Sequence, residues 1–266
     1  TFGDLTRVEE DDFTGKLQLN WKPGEDLLVY AGVTRGFKGP GFNAPLGGAI
    51  PVNEVSYEGE VLMSYEAGFK AGLLGGRARL NASAFYYDYD GYQAFNLNGL
   101  SQIVSNNDAQ IYGADVEFTF RPAEGWDLLL GASFLEATVY DVSLPLGRLD
   151  DTEPPQAPSF TFNGLLRREW VLGGGRLAAQ IDGHYVGSYQ ASVTNHPVTA
   201  IPEYAIGNAR ISYGPADARW EMALFVRNFT DADAIQYTTD FTTQGGLAFS
   251  AVKPPRWIGG QVVYRW

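Results

Sequence analysis

The sequence has no cysteine, only two histidines and few basic residues. Without cysteine there is neither a disulfide framework nor a thiolate metal site. No stretch reaches the roughly 18 apolar residues of a membrane-spanning helix, and apolar stripes at helical spacing are scarce. Lysine and arginine number 19 against 31 aspartates and glutamates, which gives a formal charge of −12. This balance argues against a nucleic-acid partner, because neutralising phosphates needs a surplus of basic side chains.

What the chain has instead is a long series of segments in which apolar and polar residues alternate. Residues 177–185 and 220–227 are clear examples, and several such segments exceed the five or six residues of an ordinary strand. With 45% hydrophobic and 14% aromatic residues, the chain is apolar enough to fold. The pattern predicts an all-β protein whose strands each have one apolar and one polar face. We place about eleven strands, at residues 12–21, 27–36, 61–73, 77–92, 103–121, 126–140, 158–170, 176–189, 202–213, 218–228 and 256–266.

The connections between these strands are alternately short and long. Turns rich in glycine, proline and aspartate stand at 23–26, 74–76, 122–125, 172–175 and 214–217, whereas long connections run over 37–60, 93–102, 141–157, 190–201 and 229–255. In outer-membrane barrels, tight turns close the periplasmic end and long loops extend outside the cell. We therefore predict an antiparallel up-and-down transmembrane β-barrel in the outer membrane of a Gram-negative bacterium. Aromatic residues near predicted strand ends suit the membrane interfaces; they are Trp21, Tyr86, Tyr87, Trp126, Trp170, Trp220 and Trp257.

Five stretches resemble a known family of outer-membrane proteins. The last strand ends on Trp266, with Val262 and Tyr264 on one face, and is similar to the C-terminal signal by which the outer-membrane assembly machinery recognises barrels. The segments 30–43 (YAGVTRGFKGPGFN), 64–70 (SYEAGFK), 111–118 (IYGADVEF) and 225–231 (FVRNFTD) resemble TonB-dependent outer-membrane receptors. The stretches occur in the family's order.

The resemblance implies a 22-stranded barrel that is filled by an N-terminal plug and imports a scarce nutrient with energy passed on by TonB. Residues 1–266 then form the C-terminal half of the barrel, and the plug and the first strands are absent. Eleven is an odd number, which a closed single-chain bacterial barrel does not have. The common cargo of the family is a ferric siderophore, and cobalamin, haem and oligosaccharides are carried on the same fold. The other expected partners are the TonB complex through the plug, the assembly machinery, the lipid bilayer and lipopolysaccharide. Polar strand positions are expected to face the lumen: Lys16, Gln18, Glu66, Lys70, Arg79, Asn81, Glu117, Arg167, Asp182, Glu221 and Arg227.

Substrate should first meet the long loops and the outer mouth of the lumen. Candidate binding residues in the first long loop are Arg35, Phe37, Lys38 and Asn43; in the second, Tyr92, Phe95 and Asn96; and in the last, Tyr237, Phe241 and Gln244. A purely structural role competes with binding, since Arg35 and Lys38 could simply anchor their loop.

No pattern in the chain predicts a cofactor, a metal ion or a catalytic residue. Asp150, Asp151 and Glu153 read as a solvated acidic loop rather than a calcium site, and His184 and His196 lack metal-ligand spacing. Nucleophile-elbow, phosphate-loop and dinucleotide signatures are absent. The alternatives are a smaller barrel enzyme of the phospholipase kind, with His184 and a nearby serine as its catalytic pair, a passive porin, or a soluble β-sandwich.

Overall fold

The computed structural model describes residues 7–43, 52–98, 101–143, 149–242 and 246–266. Eleven long strands form one continuous antiparallel sheet in which each strand pairs with its neighbour along this path. The strands are β1 (Gly15–Gly24), β2 (Leu27–Lys38), β5 (Glu60–Leu73), β6 (Ala78–Asn98), β7 (Ser101–Phe120), β8 (Trp126–Ser143), β10 (Phe160–Leu172), β11 (Gly175–Val186), β14 (Tyr204–Pro215), β15 (Trp220–Arg227) and β18 (Trp257–Tyr264). The predicted all-β antiparallel fold with about eleven strands is confirmed.

Short secondary structure fills the long connections. β9 (Leu149–Thr152) pairs with the end of β8 and adds a twelfth strand to the sheet. Three small pairs join β3 (Gly41–Phe42) to β4 (Ser56–Tyr57), β12 (Tyr189–Gln190) to β13 (Ala200–Ile201), and β16 (Ile235–Phe241) to β17 (Leu247–Val252). Two 3-10 helices span Val52–Glu54 and Pro197–Thr199. Within the described ranges, no helix has the length and hydrophobicity needed to cross a membrane.

The five predicted tight turns join the strand pairs as expected, and glycine supplies the backbone conformation in several of them. Gly75, Gly76, Gly173 and Gly174 all have positive φ angles, which side chains other than glycine rarely adopt. The predicted long connection at 93–102 is wrong. β6 and β7 continue as a paired hairpin from Tyr92 opposite Asn107 to Asn98 opposite Ser101, because a bulge between Tyr89 and Tyr92 re-registers the strands and pairing resumes beyond it.

Strand register sorts the side chains onto two faces. A typical apolar row runs across neighbouring strands through Leu19, Ala31, Ala67, Ala84 and Ala114. Side chains on this face remain exposed; Leu17 is 79% and Ile258 78% accessible. Such exposure suits a surface whose solvent is hydrocarbon rather than water.

The aromatic residues predicted for the membrane interfaces divide between the two faces. Trp21, Tyr86, Trp126, Trp170 and Trp220 belong to the apolar face. Tyr87 and Trp257 do not, since Tyr87 pairs with Ser64 and Trp257 with Arg227 on the polar face. Alternation forbids the neighbours Tyr86 and Tyr87 from sharing a face, so the prediction for one of them had to fail.

Candidate functional site

The polar face of the sheet, called here the inner face, carries every residue that the alternation assigned to the lumen. Cross-strand pairs such as Lys70 with Asn81, and Asn81 with Glu117, place them on one side. Arg167 and Asp182 join the same face through Gln180 and Asn208. The sorting follows from period two alone, which is why the sequence predicts it correctly.

Hydrogen bonds link inner-face groups around a cavity of about 430 Å³ at the middle of β2 to β10. The Tyr30 hydroxyl donates to Glu66 over 2.7 Å, and the Asn81 amide donates to Glu117 over 3.2 Å. On β10 the Arg167 guanidinium lies 3.0 Å from Glu169. Most charges on this wall therefore have a polar partner, as a water-filled or protein-filled lumen requires.

At one end of the sheet the long connections fold together into a compact group, called here the outer loop cluster (39–43, 52–59, 149–159, 187–203, 228–242 and 246–256). The β6–β7 hairpin reaches into it. The Gln93 amide donates to the carbonyls of Gly39 and Glu58, and a small core of Ala94, Ala109, Val139, Val142 and Val193 packs with Tyr89 and Tyr92. Val193 comes from the connection between β11 and β14, so distant loops share one core.

Hydrogen bonds of polar side chains complete the joints between loops. Asn195 accepts from the Glu153 backbone N–H over 2.7 Å and donates to the Glu153 carbonyl over 2.8 Å. The Thr194 hydroxyl donates to Asp240 over 2.8 Å, which ties the same segment to β16. One connection thus bridges two others.

Asp240 is the buried charge in these joints, with 7% of its surface exposed. Burial works against the carboxylate, but hydrogen bonds from Thr242, Ser192 and Thr194 outweigh it and hold the pKa of Asp240 below its ordinary value. The carboxylate therefore stays ionised and keeps accepting hydrogen bonds at neutral pH.

The first group of predicted binding residues is split by the structure. Arg35 lies on the apolar face, where it forms an ion pair with Asp12 and stacks on Phe13. The Phe37 ring lies over Gly59, and the Lys38 ammonium is 3.9 Å from Glu60. These contacts fit the anchoring role that was weighed against binding.

Asn43 belongs to the interior of the outer loop cluster. It is 7% exposed, and its amide donates to the carbonyls of Glu54 and Val104 while accepting from the Val104 N–H over 2.7 Å. Val104 pairs with Phe95, so Asn43 and Phe95 of the second group lie close together.

β16, which carries Tyr237 and Phe241, packs against β6, which carries the second group. Phe95 is 49% and Tyr237 55% exposed, whereas Tyr92 is half-buried and the Phe241 ring packs edge-on against Phe249 at 5.7 Å. Asn96 has a buried side-chain oxygen without a hydrogen-bond partner among the described residues. Gln244 lies outside the described residues. The ten assignments to binding stay predictions.

Sequence reasoning missed the residues that assemble the loop cluster: Tyr89, Gln93, Asn106, Asn195 and Asp240. Asn195, for example, lies in the predicted connection 190–201 and bonds both backbone groups of Glu153. Asparagine in a predicted loop is so common that its residue type alone does not distinguish a buried joint from a solvated side chain.

The histidines and acidic residues considered for metal binding or catalysis have these surroundings. The part of the chain that the structure describes contains no group of three or more histidine, aspartate or glutamate side chains able to hold a metal ion. His196 caps the 3-10 helix at Pro197–Thr199 by accepting from the Val198 N–H. His184 contacts the Tyr204 ring at 5.9 Å between centroids.

The two-faced sheet, the tight turns at one end and the folded loops at the other define a transmembrane β-barrel protein of the Gram-negative outer membrane. A family model described as TonB dependent receptor-like, beta-barrel, matches residues 1–229. The chain belongs to this family, whose members are receptors and transporters rather than enzymes.

Individual relatives agree with this assignment. The pesticin receptor of Yersinia pestis is 25% identical over 188 residues, which are 69% of this chain and 27% of that protein. The ferric yersiniabactin uptake receptor of Yersinia pestis superimposes with a TM-score of 0.77 and 21% identity, covering 94% of this chain and 36% of that structure. The copper transporter OprC superimposes with a TM-score of 0.69 and 15% identity, covering 94% and 39%. The chain spans about a third of the length of these proteins.

Proposed function

We propose that the protein is an outer-membrane receptor that imports a ferric siderophore with energy coupled through TonB. In this proposal residues 1–266 form the C-terminal half of its 22-stranded barrel. The remainder of the barrel and the plug belong to the rest of the receptor, and the plug contacts the TonB complex. Lipopolysaccharide and phospholipid surround the apolar face, and the assembly machinery reads Val262, Tyr264 and Trp266.

The main support is the outer loop cluster. Four long connections and the β6–β7 hairpin fold onto one another at one end of the sheet, and the candidate residues Asn43, Phe95 and Tyr237 belong to three of these segments. A passive pore has no need of such an assembly, whereas a receptor needs a preformed surface to select its substrate. The likeness to a ferric yersiniabactin uptake receptor supports iron as the cargo.

The test is transport by the full-length receptor in a Gram-negative host that lacks its own siderophore receptors. Uptake of radioactive iron would be measured with a panel of ferric siderophores, in matched hosts with and without TonB. We expect saturable uptake of at least one ferric complex in the host with TonB and none in the host without it. Uptake that is equal in both hosts would indicate a passive porin and contradict the proposal.

Copper is the second candidate cargo, because the chain is also similar to the copper transporter OprC. The same two hosts would be supplied with copper under copper limitation. Copper uptake through the receptor, together with no uptake of any ferric complex, would replace iron by copper while leaving TonB-dependent transport intact.

A further inference from the structure

Three side chains of different elements meet on the inner face close to the outer loop cluster: His184 of β11, Tyr204 of β14 and Lys253, which precedes β18. The Lys253 ammonium lies over the Tyr204 ring, 5.2 Å from its centroid. The His184 ring meets the same tyrosine edge-on at 5.9 Å. All three residues are half-buried.

Register places this group on the lumen side. His184 pairs with Ile206, two residues from Tyr204, on the face that carries Asp182 and Asn208. Asp182 is the nearest acid along β11, and its oxygens are occupied by the Gln180 amide at 2.9 Å and the Asn208 amide at 2.8 Å. Both carboxylate oxygens of Asp182 therefore already accept hydrogen bonds from neighbouring amides.

The backbone on both sides of Lys253 is fixed. Its N–H donates to the Ala234 carbonyl over 2.8 Å, and the buried Asn228 amide donates to the Pro254 carbonyl over 3.3 Å. The Lys253 ammonium therefore extends to the inner face from a backbone segment that hydrogen bonds hold in place.

Lys253 differs from most cations in the outer half of the sheet because it lacks an acidic partner. Arg35 pairs with Asp12, Lys38 with Glu60 and Arg256 with Asp231. Within the ranges that the structure covers, Lys253 forms no ion pair, although the chain carries a surplus of twelve negative charges. An unpaired ammonium beside an aromatic face and an imidazole edge suits a planar anionic group.

We infer that His184, Tyr204 and Lys253 form an anion subsite that receives a phenolate or carboxylate group of the imported complex. The inference rests on the proposed function and adds a preference for anionic over neutral ferric complexes. Lys253 supplies the charge, Tyr204 the stacking surface and hydroxyl, and His184 a second hydrogen-bonding edge.

The experiment uses purified full-length receptor and two probes, the anionic ferric complex of 2,3-dihydroxybenzoate and a neutral ferric trihydroxamate. Dissociation constants come from tryptophan fluorescence quenching at two salt concentrations. We expect Lys253→Met to weaken binding of the anionic complex by about tenfold and to reduce the salt dependence of its affinity. Lys253→Arg should restore most of the affinity.

Lys16→Met is the matched control. Lys16 of β1 lies on the same inner face, opposite Thr34 of β2, and away from the three residues. It should leave both affinities unchanged. If Lys253→Met lost affinity for both probes, Lys253 would have a structural role, and the subsite proposal would be overturned. So would unchanged binding of the anionic complex, or tighter binding of the neutral complex by the wild-type receptor.

Failure of the proposed function looks different. Wild-type receptor that binds neither ferric complex and transports no iron would remove the siderophore proposal and the subsite with it. Transport of iron by a receptor whose Lys253→Met variant behaves as wild type would remove the subsite alone.

Discussion

Single polar side chains join the small apolar core in holding the outer loops of this protein in place. Asn43 is bonded to two distant backbone segments, and Asn195 is bonded to both backbone groups of Glu153. Each buried hydrogen bond contributes about 1 kcal/mol, and leaving its partner unsatisfied costs about 1–3 kcal/mol. Residues of this kind decide whether a loop has one conformation or many.

Asp240 makes the loop cluster sensitive to acid. Its pKa is lowered in the folded protein, so its contribution is complete above the ordinary aspartate value near 3.8 and is lost as the pH falls through the lower folded value. Residues 1–266 contain no cysteine, so in a full-length receptor freed of any cysteine elsewhere, a spin label on Val198→Cys reports on this segment alone. We expect the label to be immobile from neutral pH to about pH 5 and mobile below the folded pKa of Asp240.

Two comparisons complete that measurement. In the Asp240→Asn background the label should be mobile at every pH, because an amide nitrogen cannot accept the bond from Thr194. A label on Val171→Cys of β10, which is 85% exposed at the opposite end of the sheet, should show the same line shape throughout. A label at position 198 that ignores acid would mean that Asp240 does not hold the segment.

At the scale of the element, each strand must suit two different surroundings. On β18, Val262 and Tyr264 pair with Met222 and Trp220 on the apolar face, whereas Gln261 pairs with Ala223 on the inner face. Val262 is 68% exposed and Tyr264 is 62% exposed. The residues named as the assembly signal therefore project into the bilayer side.

This arrangement predicts that charge is tolerated on only one face of β18. Val262→Lys should reduce the amount of assembled receptor strongly, because a cation on the lipid face costs about 2–4 kcal/mol near the midplane and less near the interfaces. Val263→Lys, one residue away on the inner face and opposite Glu221, should assemble as wild type. The measurement is the fraction of receptor in the outer membrane that migrates as the compact species without heating, and equal losses for both variants would contradict the two-faced assignment.

At the scale of the whole chain, the described residues form a sheet with two free edges, since β1 pairs only with β2 and β18 only with β15 among them. Unpaired backbone groups in hydrocarbon cost several kcal/mol each, so such edges require partners. All ten residues of β1 are exposed, which fits an edge strand that pairs with a further strand in the assembled barrel. We expect the rest of the receptor to provide it.

Residues 1–266 exported alone should therefore fail to form a stable membrane barrel, while the full-length receptor should form one. Trypsin resistance and heat-dependent mobility in gels distinguish the two outcomes. Adding the upstream strands without the plug should restore assembly. Closure of the barrel depends on pairing of the free strand edges and not on the plug that fills the lumen. A heat-modifiable, trypsin-resistant barrel from residues 1–266 alone would show that the two edges close on each other and would overturn the half-barrel proposal.

The sequence by itself determined the parts of this protein that depend on near neighbours. Alternation specified eleven strands and the face of every predicted lumen residue, and glycine-rich turns marked one end of the sheet, because strand geometry repeats every two residues. The interface predictions for Tyr87 and Trp257 failed because they counted aromatic residues near strand ends without applying the two-residue alternation.

Only the tertiary structure decided the outer loop cluster and the sites within it. That Asn43 bonds Val104, that Thr194 bonds Asp240 and that Lys253 reaches Tyr204 depend on pairs separated by 46 to 61 residues. Such contacts carry no periodic pattern, since they arise where the sheet brings the ends of distant strands to one rim. Local alternation thus determines the strands of the membrane barrel. The outer loop cluster, which would select a substrate, forms only after the strands have assembled.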